Sequence, residues 1–256
     1  MSLTVAVVTQ DDPFYMPLFY RSFFDALDDE IEVAWITILD AFDESVLDSA
    51  RRAYRLYGPG NFLRLGLSYL RRELASRLGV AAYSVRAIAR DRGVPVDERD
   101  TVNSTAFVDR IERDDVDVLL SVSAPELFDQ ELLDAPRWGC LNVHTADLPK
   151  YRGMLPTFWA LYHGEDEIGV TVHTMETEID RGETLRQTSF PVGSSPTLHE
   201  VIKRGKRTGG SLAARALADV AAGEATLRPM TGDGSYFSFP TVEDRKRFQR
   251  QGGRLL

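Results

Sequence analysis

A chain of 256 residues, 43% hydrophobic and 27% charged, can bury a substantial core as one large domain or one domain with a small appendage. Its net charge of −9 argues against a nucleic-acid partner, which requires a basic face, and no apolar run approaches the ~20 residues of a membrane-spanning helix. The single cysteine, Cys140, excludes an intramolecular disulfide and a multi-thiolate metal site, and inside its apolar run it reads as a small buried residue. Lysine is confined to Lys150, Lys203, Lys206 and Lys246, and Asp outnumbers Glu, a bias that a salt-adapted proteome and a GC-rich genome would both produce. The amino terminus enters a strand at once and lacks the charged-then-apolar form of a leader peptide, so a soluble cytoplasmic protein is expected.

Leu3–Thr9 is a continuous apolar run, typical of a buried parallel strand. Met16–Leu27 carries Leu18, Phe19, Phe23 and Ala26 on one stripe and reads as a helix, and Ile31–Leu39 as a second strand. This β-α-β start implies a parallel sheet with a right-handed crossover; it lacks the G-x-G-x-x-G turn, so dinucleotide binding by that fingerprint is not expected. Asp43–Tyr57 and Asn61–Leu78 read as two helices split by Gly58-Pro59-Gly60. Their many arginines (among them Arg51, Arg52, Arg55, Arg64, Arg71 and Arg72) fit either an amphipathic pair packed on the sheet with a solvated basic face or a basic rim for an anionic substrate.

Val80–Val85, Val94–Val96 and Val116–Val122 are further short apolar runs, and Asn103-Ser104 offers an N-cap for a helix over Thr105–Arg113. Pro156–Gly164 reads as a helix opened by proline and closed by glycine, with His163 as a helix C-terminal partner or plain surface. Glu183–Val192 is another strand, and Thr197-Leu-His-Glu200 is a capping box before a long helix to about Ala221, whose Gly209-Gly210 pair suits close packing on the sheet. After Gly223 the composition changes; Thr241-Val-Glu-Asp244 is a second capping box before a short basic helix. The expected division is a catalytic domain over 1–222 and a short C-terminal extension over 223–256 packed on it.

The chemistry lies in residues 139–185. Gly139-Cys-Leu-Asn-Val-His144 is an apolar run ending in Asn142 and His144, two residues apart and so on one face of a strand. Leu148-Pro-Lys-Tyr-Arg-Gly153 is a loop, Gly169–Met175 a β-branched strand, and Glu176–Gly182 an acidic turn carrying Asp180. An amide, an imidazole and a carboxylate are parts for acyl transfer: a donor to an oxyanion, a proton carrier and its orienting charge. Metal binding is not expected, since His144, His163 and His173 have no ligand spacing. His173 alternates with Thr171 on the second strand and reads as a satisfied wall histidine or as a residue facing the site.

Four elements in order, Asn-x-His, Leu-Pro-x-x-Arg-Gly, Gly-Val-Thr and Asp-x-Gly, make this stretch resemble the N10-formyltetrahydrofolate-dependent formyltransferases of glycinamide ribonucleotide, methionyl-tRNA and sugar nucleotides. The likeness covers about residues 80–190. It implies an α/β, Rossmann-like formyltransferase fold with a mostly parallel sheet and helices on both faces. It implies N10-formyltetrahydrofolate as formyl donor and a small-molecule amine, an amino sugar nucleotide among the candidates, as acceptor. Asn142, His144 and Asp180 would be catalytic; Ser123, Ala124, Leu127, Ile179 and Gly182 would hold the folate; Arg152 and Gly153 would form a loop closing over the site, and Gly182 would permit the turn after Asp180. A homodimer is compatible with the likeness. Neither the extra C-terminal domain of the methionyl-tRNA enzymes nor the amino-terminal regulatory domain of the formyltetrahydrofolate hydrolases is expected, which makes tRNA a poor substrate candidate. Where the family often has Pro-Ser-Leu-Leu-Pro, this chain has Thr145-Ala-Asp-Leu-Pro149, which puts Ala146 and Asp147 at positions that bear on the acceptor. A formyltetrahydrofolate hydrolase and a non-catalytic folate-binding protein are the alternatives.

Overall fold

The computed structural model describes residues 2–39, 46–78 and 82–256. Seven strands form one mixed sheet: β1 (Leu3–Thr9), β2 (Ile31–Leu39), β3 (Val96–Arg99), β4 (Val118–Val122), β5 (Gly139–His144), β7 (Glu167–Thr174) and β8 (Thr184–Pro191). Their order is β3-β2-β1-β4-β5-β7-β8. The first five are parallel; β7 runs antiparallel to both β5 and β8. The order reverses between β1 and β4, and in such sheets ligands bind beyond the carboxyl ends of the strands at that reversal.

Strand alternation divides the core in two. Val5 and Val7 of β1 face a cluster built with α1 (Met16–Ala26) and α7 (Leu198–Ala221). Ala6 and Val8 face the other side, against α4 (Thr105–Arg113) and α5 (Gln130–Asp134). Helices therefore cover both faces. The Thr197 capping box forms as expected, and α7 presses on α1 through its glycines. A Cβ at Gly210 would lie 2.3 Å from the Phe19 carbonyl oxygen, so only a residue without one fits this approach. Thr105–Arg113 is helical with Ser104 at its N-cap, although the Ser104 side chain makes no capping hydrogen bond.

The apolar run Val80–Val85 is described only from residue 82, since residues 79–81 lie outside the described residues; Val85 opens α3 (Val85–Asp91), capped by Ser84. The Arg-rich pair forms α2 (Val46–Arg77), broken at Gly58 (φ 73°), as the Gly-Pro-Gly spacing predicts; the start of the expected first helix, residues 43–45, lies outside the described residues. Its first half buries Leu56, but no residue from Pro59 to Ser76 is buried, so the second half does not pack an apolar stripe on the sheet. The short strand β6 (Arg152–Gly153) pairs with β9 (Tyr236–Phe237) from the tail, while α6 (Pro156–His163) and α8 (Val242–Arg250) meet through Phe158 and Phe248.

Candidate active site

Parallel pairing sets Asn142 of β5 beside Ser121 of β4, and antiparallel pairing sets it opposite His173 of β7. Cross-strand partners share a face, and the Asn142 amide nitrogen lies 3.2 Å from His173 Nε2. Two residues on, His144 ends the strand. Asp180 enters from the turn after β7 with a left-handed backbone (φ 52°), a conformation that Asp tolerates better than most residues. Its Oδ1 accepts from the Asn142 amide at 3.3 Å and lies 3.5 Å from His144 Nδ1 and 3.7 Å from His173 Nε2. Its Oδ2 accepts the Gly153 backbone N–H at 2.8 Å. The amide, imidazole and carboxylate singled out in the sequence thus converge on one buried point.

The hydrogen bonds fix the tautomers. His144 Nε2 lies 2.9 Å from the Tyr151 carbonyl oxygen, which can only accept, so Nε2 carries the hydrogen. The Nδ1 lone pair of neutral His144 then faces Asp180. His173 Nδ1 likewise donates to the Thr174 carbonyl at 2.7 Å, leaving Nε2 to accept from Asn142. Burial pulls the His144 pKa below its ordinary 6.5, outweighing the Asp180 carboxylate and the Tyr151 carbonyl, which favour the charged ring. Burial pushes Asp180 up, but the charge that His144 takes on in acid and the Gly153 N–H prevail and hold it at about 2. At neutral pH the site is therefore a carboxylate facing a neutral imidazole.

Gly153 holds this geometry together. It has φ 92°, and a Cβ there would lie 2.3 Å from the Phe237 carbonyl oxygen. Arg152 donates to Glu178 at 3.0 Å and to the Ile179 carbonyl at 3.4 Å, so its guanidinium fastens the acidic turn that carries Asp180. Gly182 has no left-handed φ; a Cβ there would lie 1.8 Å from the Thr174 carbonyl oxygen, so glycine is required for close approach to β7 rather than for turn geometry.

Ser123, Ala124 and Leu127 follow β4 at the sheet reversal. Ser123 has φ 55° and its hydroxyl accepts from the Lys206 ammonium. Ala124 packs against the second core cluster. Leu127 holds its side chain 64% exposed while the Asn103 amide grips its carbonyl at 2.7 Å, which presents an apolar group on a braced loop. Asp147 is exposed, and Ala146 is buried with its carbonyl accepting from Thr171 at 2.7 Å.

Sequence reasoning passed over a polar group at the same end of the sheet. Asp12 accepts from the N–H groups of Phe14 (2.8 Å), Tyr15 (2.7 Å) and Met16 (3.3 Å), capping α1. The Tyr15 hydroxyl contacts His199 Nδ1 at 2.8 Å and the Tyr57 hydroxyl at 3.1 Å. Burial lowers the Lys206 pKa against the opposing pull of Asp12. The available signal was Lys206 itself, next to Gly205 in the buried seam of α7. A cavity of about 1210 Å³ between Asp147, Arg186 and Arg228 contains none of Asn142, His144 and Asp180. Among the described residues no group of three or more His, Cys, Asp or Glu side chains is arranged to hold a metal, and no helix is long and apolar enough to cross a membrane.

A mixed Rossmann-like sheet with an Asn-x-His strand and an Asp-bearing turn joined over its edge defines a class: the chain belongs to the Formyl transferase family, which matches residues 80–217, more than half its length. Methionyl-tRNA formyltransferase of Citrifermentans bemidjiense is 32% identical over 140 residues, 55% of this chain and 44% of that protein. The chain spans about half the length of the curated relatives it matches. Among solved structures, glycinamide ribonucleotide transformylase 1 from Symbiobacterium toebii has a TM-score of 0.61 at 17% identity, covering 90% of this chain and 95% of that one. WlaRD, a sugar 3N-formyl transferase determined in the presence of dTDP and 5-N-formyl-THF, has a TM-score of 0.58 at 15% identity, covering 93% and 70%. The structures share the fold.

Proposed function

We propose that this chain transfers a formyl group from N10-formyltetrahydrofolate to an amine of a small-molecule acceptor, with an amino sugar nucleotide as the leading candidate class, in the cytoplasm. The observation that carries the reading is the meeting of Asn142, His144 and Asp180, with Asp180 pinned by the Gly153 N–H. The acceptor nitrogen attacks the formyl carbon, and the carbonyl oxygen becomes an oxyanion. Asn142 donates to that oxygen, giving up its longer contact to Asp180. The proton leaving the attacking nitrogen goes to His144 Nδ1, where Asp180 stabilises the imidazolium. The same proton passes to N10 as the carbon–N10 bond breaks, which returns the ring to neutral. Ser123, Ala124, Leu127, Ile179 and Gly182 would border the folate; the exposed Leu127 side chain offers its flat rings an apolar contact. In this reading residues 1–222 are the catalytic unit, and 223–256 brace the β6 loop through β9.

The test mixes the purified protein with N10-formyltetrahydrofolate and a panel of amino sugar nucleotides, glycinamide ribonucleotide and methionyl-tRNA, and follows tetrahydrofolate release optically. Acceptor-dependent release is expected, reduced about 10²–10³-fold in Asn142→Ala, the cost of one lost oxyanion donor. Release without any acceptor would replace this reading with a hydrolase. Folate binding without release would replace it with a binding protein.

A further inference from the structure

The second half of α2 carries an exposed leucine stripe. Leu63, Leu67, Leu70 and Leu74 recur at spacings of four, three and four, which places them in one narrow stripe of a helix. They are 66%, 63%, 65% and 58% exposed. The opposite face, which meets the rest of the chain, is mixed: Phe62 and Leu65 are half-buried there beside Arg72 and Ser76, and the Tyr69 ring lies 6.4 Å from that of Phe14. Arg72 donates to the Pro13 carbonyl at 2.7 Å, with its guanidinium between the Phe14 and Tyr83 rings at 5.1 and 5.0 Å. The Ser76 and Ser84 hydroxyls lie 3.4 Å apart. The four leucines of the outward stripe are thus left uncovered by the rest of the chain.

We propose that this seam pairs two copies of the chain, helix against helix, an inference independent of the formyl-transfer reading. The width of the stripe selects the occupant. A helix lying in a membrane surface presents a broad apolar face. Here Arg64 and Arg71 stand directly beside the leucines, leaving the narrow a/d stripe that knobs-into-holes packing uses. Such a stripe needs a second one, and under a two-fold axis it supplies its own complement. The area suffices. At about 100 Å² per leucine, four leucines on each copy plus the stems of Arg64 and Arg71 bury roughly 1,000 Å² in total, the lower bound for a specific interface. Gly60, one turn before Leu63 on the same face, has open space around it, so the partner backbone can come close there.

Sedimentation velocity on the full chain, at low and at molar salt, tests this. The expected species has twice the 28.7 kDa chain mass. Leu67→Glu with Leu70→Glu should halve it while leaving the far-ultraviolet circular dichroism unchanged, because these side chains are exposed on the single chain. Leu70→Cys should give a disulfide-linked dimer on mild oxidation, since the other thiol, Cys140, is buried. A monomeric wild-type chain overturns the proposal, as does a dimer that survives the double substitution and fails to cross-link through Leu70→Cys. A monomer that co-sediments with anionic phosphatidylglycerol vesicles, and is released by the same double substitution, would assign the seam to a membrane surface instead.

Discussion

At the scale of single residues, the site rests on where one proton sits. His144 gives its only hydrogen to the Tyr151 carbonyl, so its free nitrogen is the one next to Asp180. Its pKa is lowered from 6.5 by burial, so the neutral form required for proton pickup persists below that pH, and the acid limb of the kcat/KM profile should lie below pH 6.5. Asp180→Asn removes a charge that raises the His144 pKa; in the residual activity the limb should move to still lower pH, with turnover down by about two orders of magnitude or more. A pH–rate profile of both proteins checks this, and a limb that stays in place would dissociate Asp180 from the proton transfer. Asn142, His144 and Asp180 were legible because strand alternation and a four-part motif are local patterns. What the local pattern around His173 does not reveal is that the cross-strand register sets its Nε2 against the Asn142 amide.

Among the elements, glycines tell the packing apart from the propensity. Gly210 of α7 and Gly66 of α2 both lie inside helices, where Ala is favoured by about 1 kcal/mol. At Gly210 an added methyl meets the Phe19 carbonyl at 2.3 Å; at Gly66 nothing lies within 4 Å. Gly210→Ala should therefore destabilise by about 1–3 kcal/mol through overpacking, and Gly66→Ala should stabilise by about 0.5–1 kcal/mol. Urea denaturation at constant m-value measures both, and equal signs would refute the assignment. The helix over Thr105–Arg113, the Thr197 and Thr241 boxes and the Gly58 break were legible, because caps and breakers act within a turn or two. The β6–β9 pair was not: its strands have two residues each and stand more than eighty positions apart, so neither has a periodic signal.

For the whole molecule, acid should be destabilising over a defined window. His199 is lowered from 6.5 to about 4, by burial first and then by the charges of Lys203 and Arg72. A base with a depressed folded pKa contributes stability that is complete above 6.5 and is lost as pH falls toward 4, since the unfolded chain takes up the proton earlier. His144 adds in the same direction. Asp11, raised by burial to about 6, opposes them over part of the window, and Asp180, at about 2, loses its contribution only below the ordinary 3.8. The melting temperature should fall by a few degrees between pH 7 and pH 4.5, since about 1 kcal/mol corresponds to ~2–4 °C at this size. In His199→Gln the slope should be shallower, and an unchanged slope would place the acid sensitivity elsewhere.

The sequence by itself determined the class of sheet, because continuous apolar strands alternating with helices have one compact solution. It also determined the three polar groups of the site, because their spacing within strand and turn is chemical and local. Only the tertiary structure decided which backbone holds Asp180, why Gly182 has no side chain, and which way α2 faces. These depend on contacts outside any local pattern: the tail carbonyl that excludes a side chain at Gly153, the β7 carbonyl against Gly182, and the Phe14 and Tyr83 rings against Arg72 on the face of α2 away from the leucines.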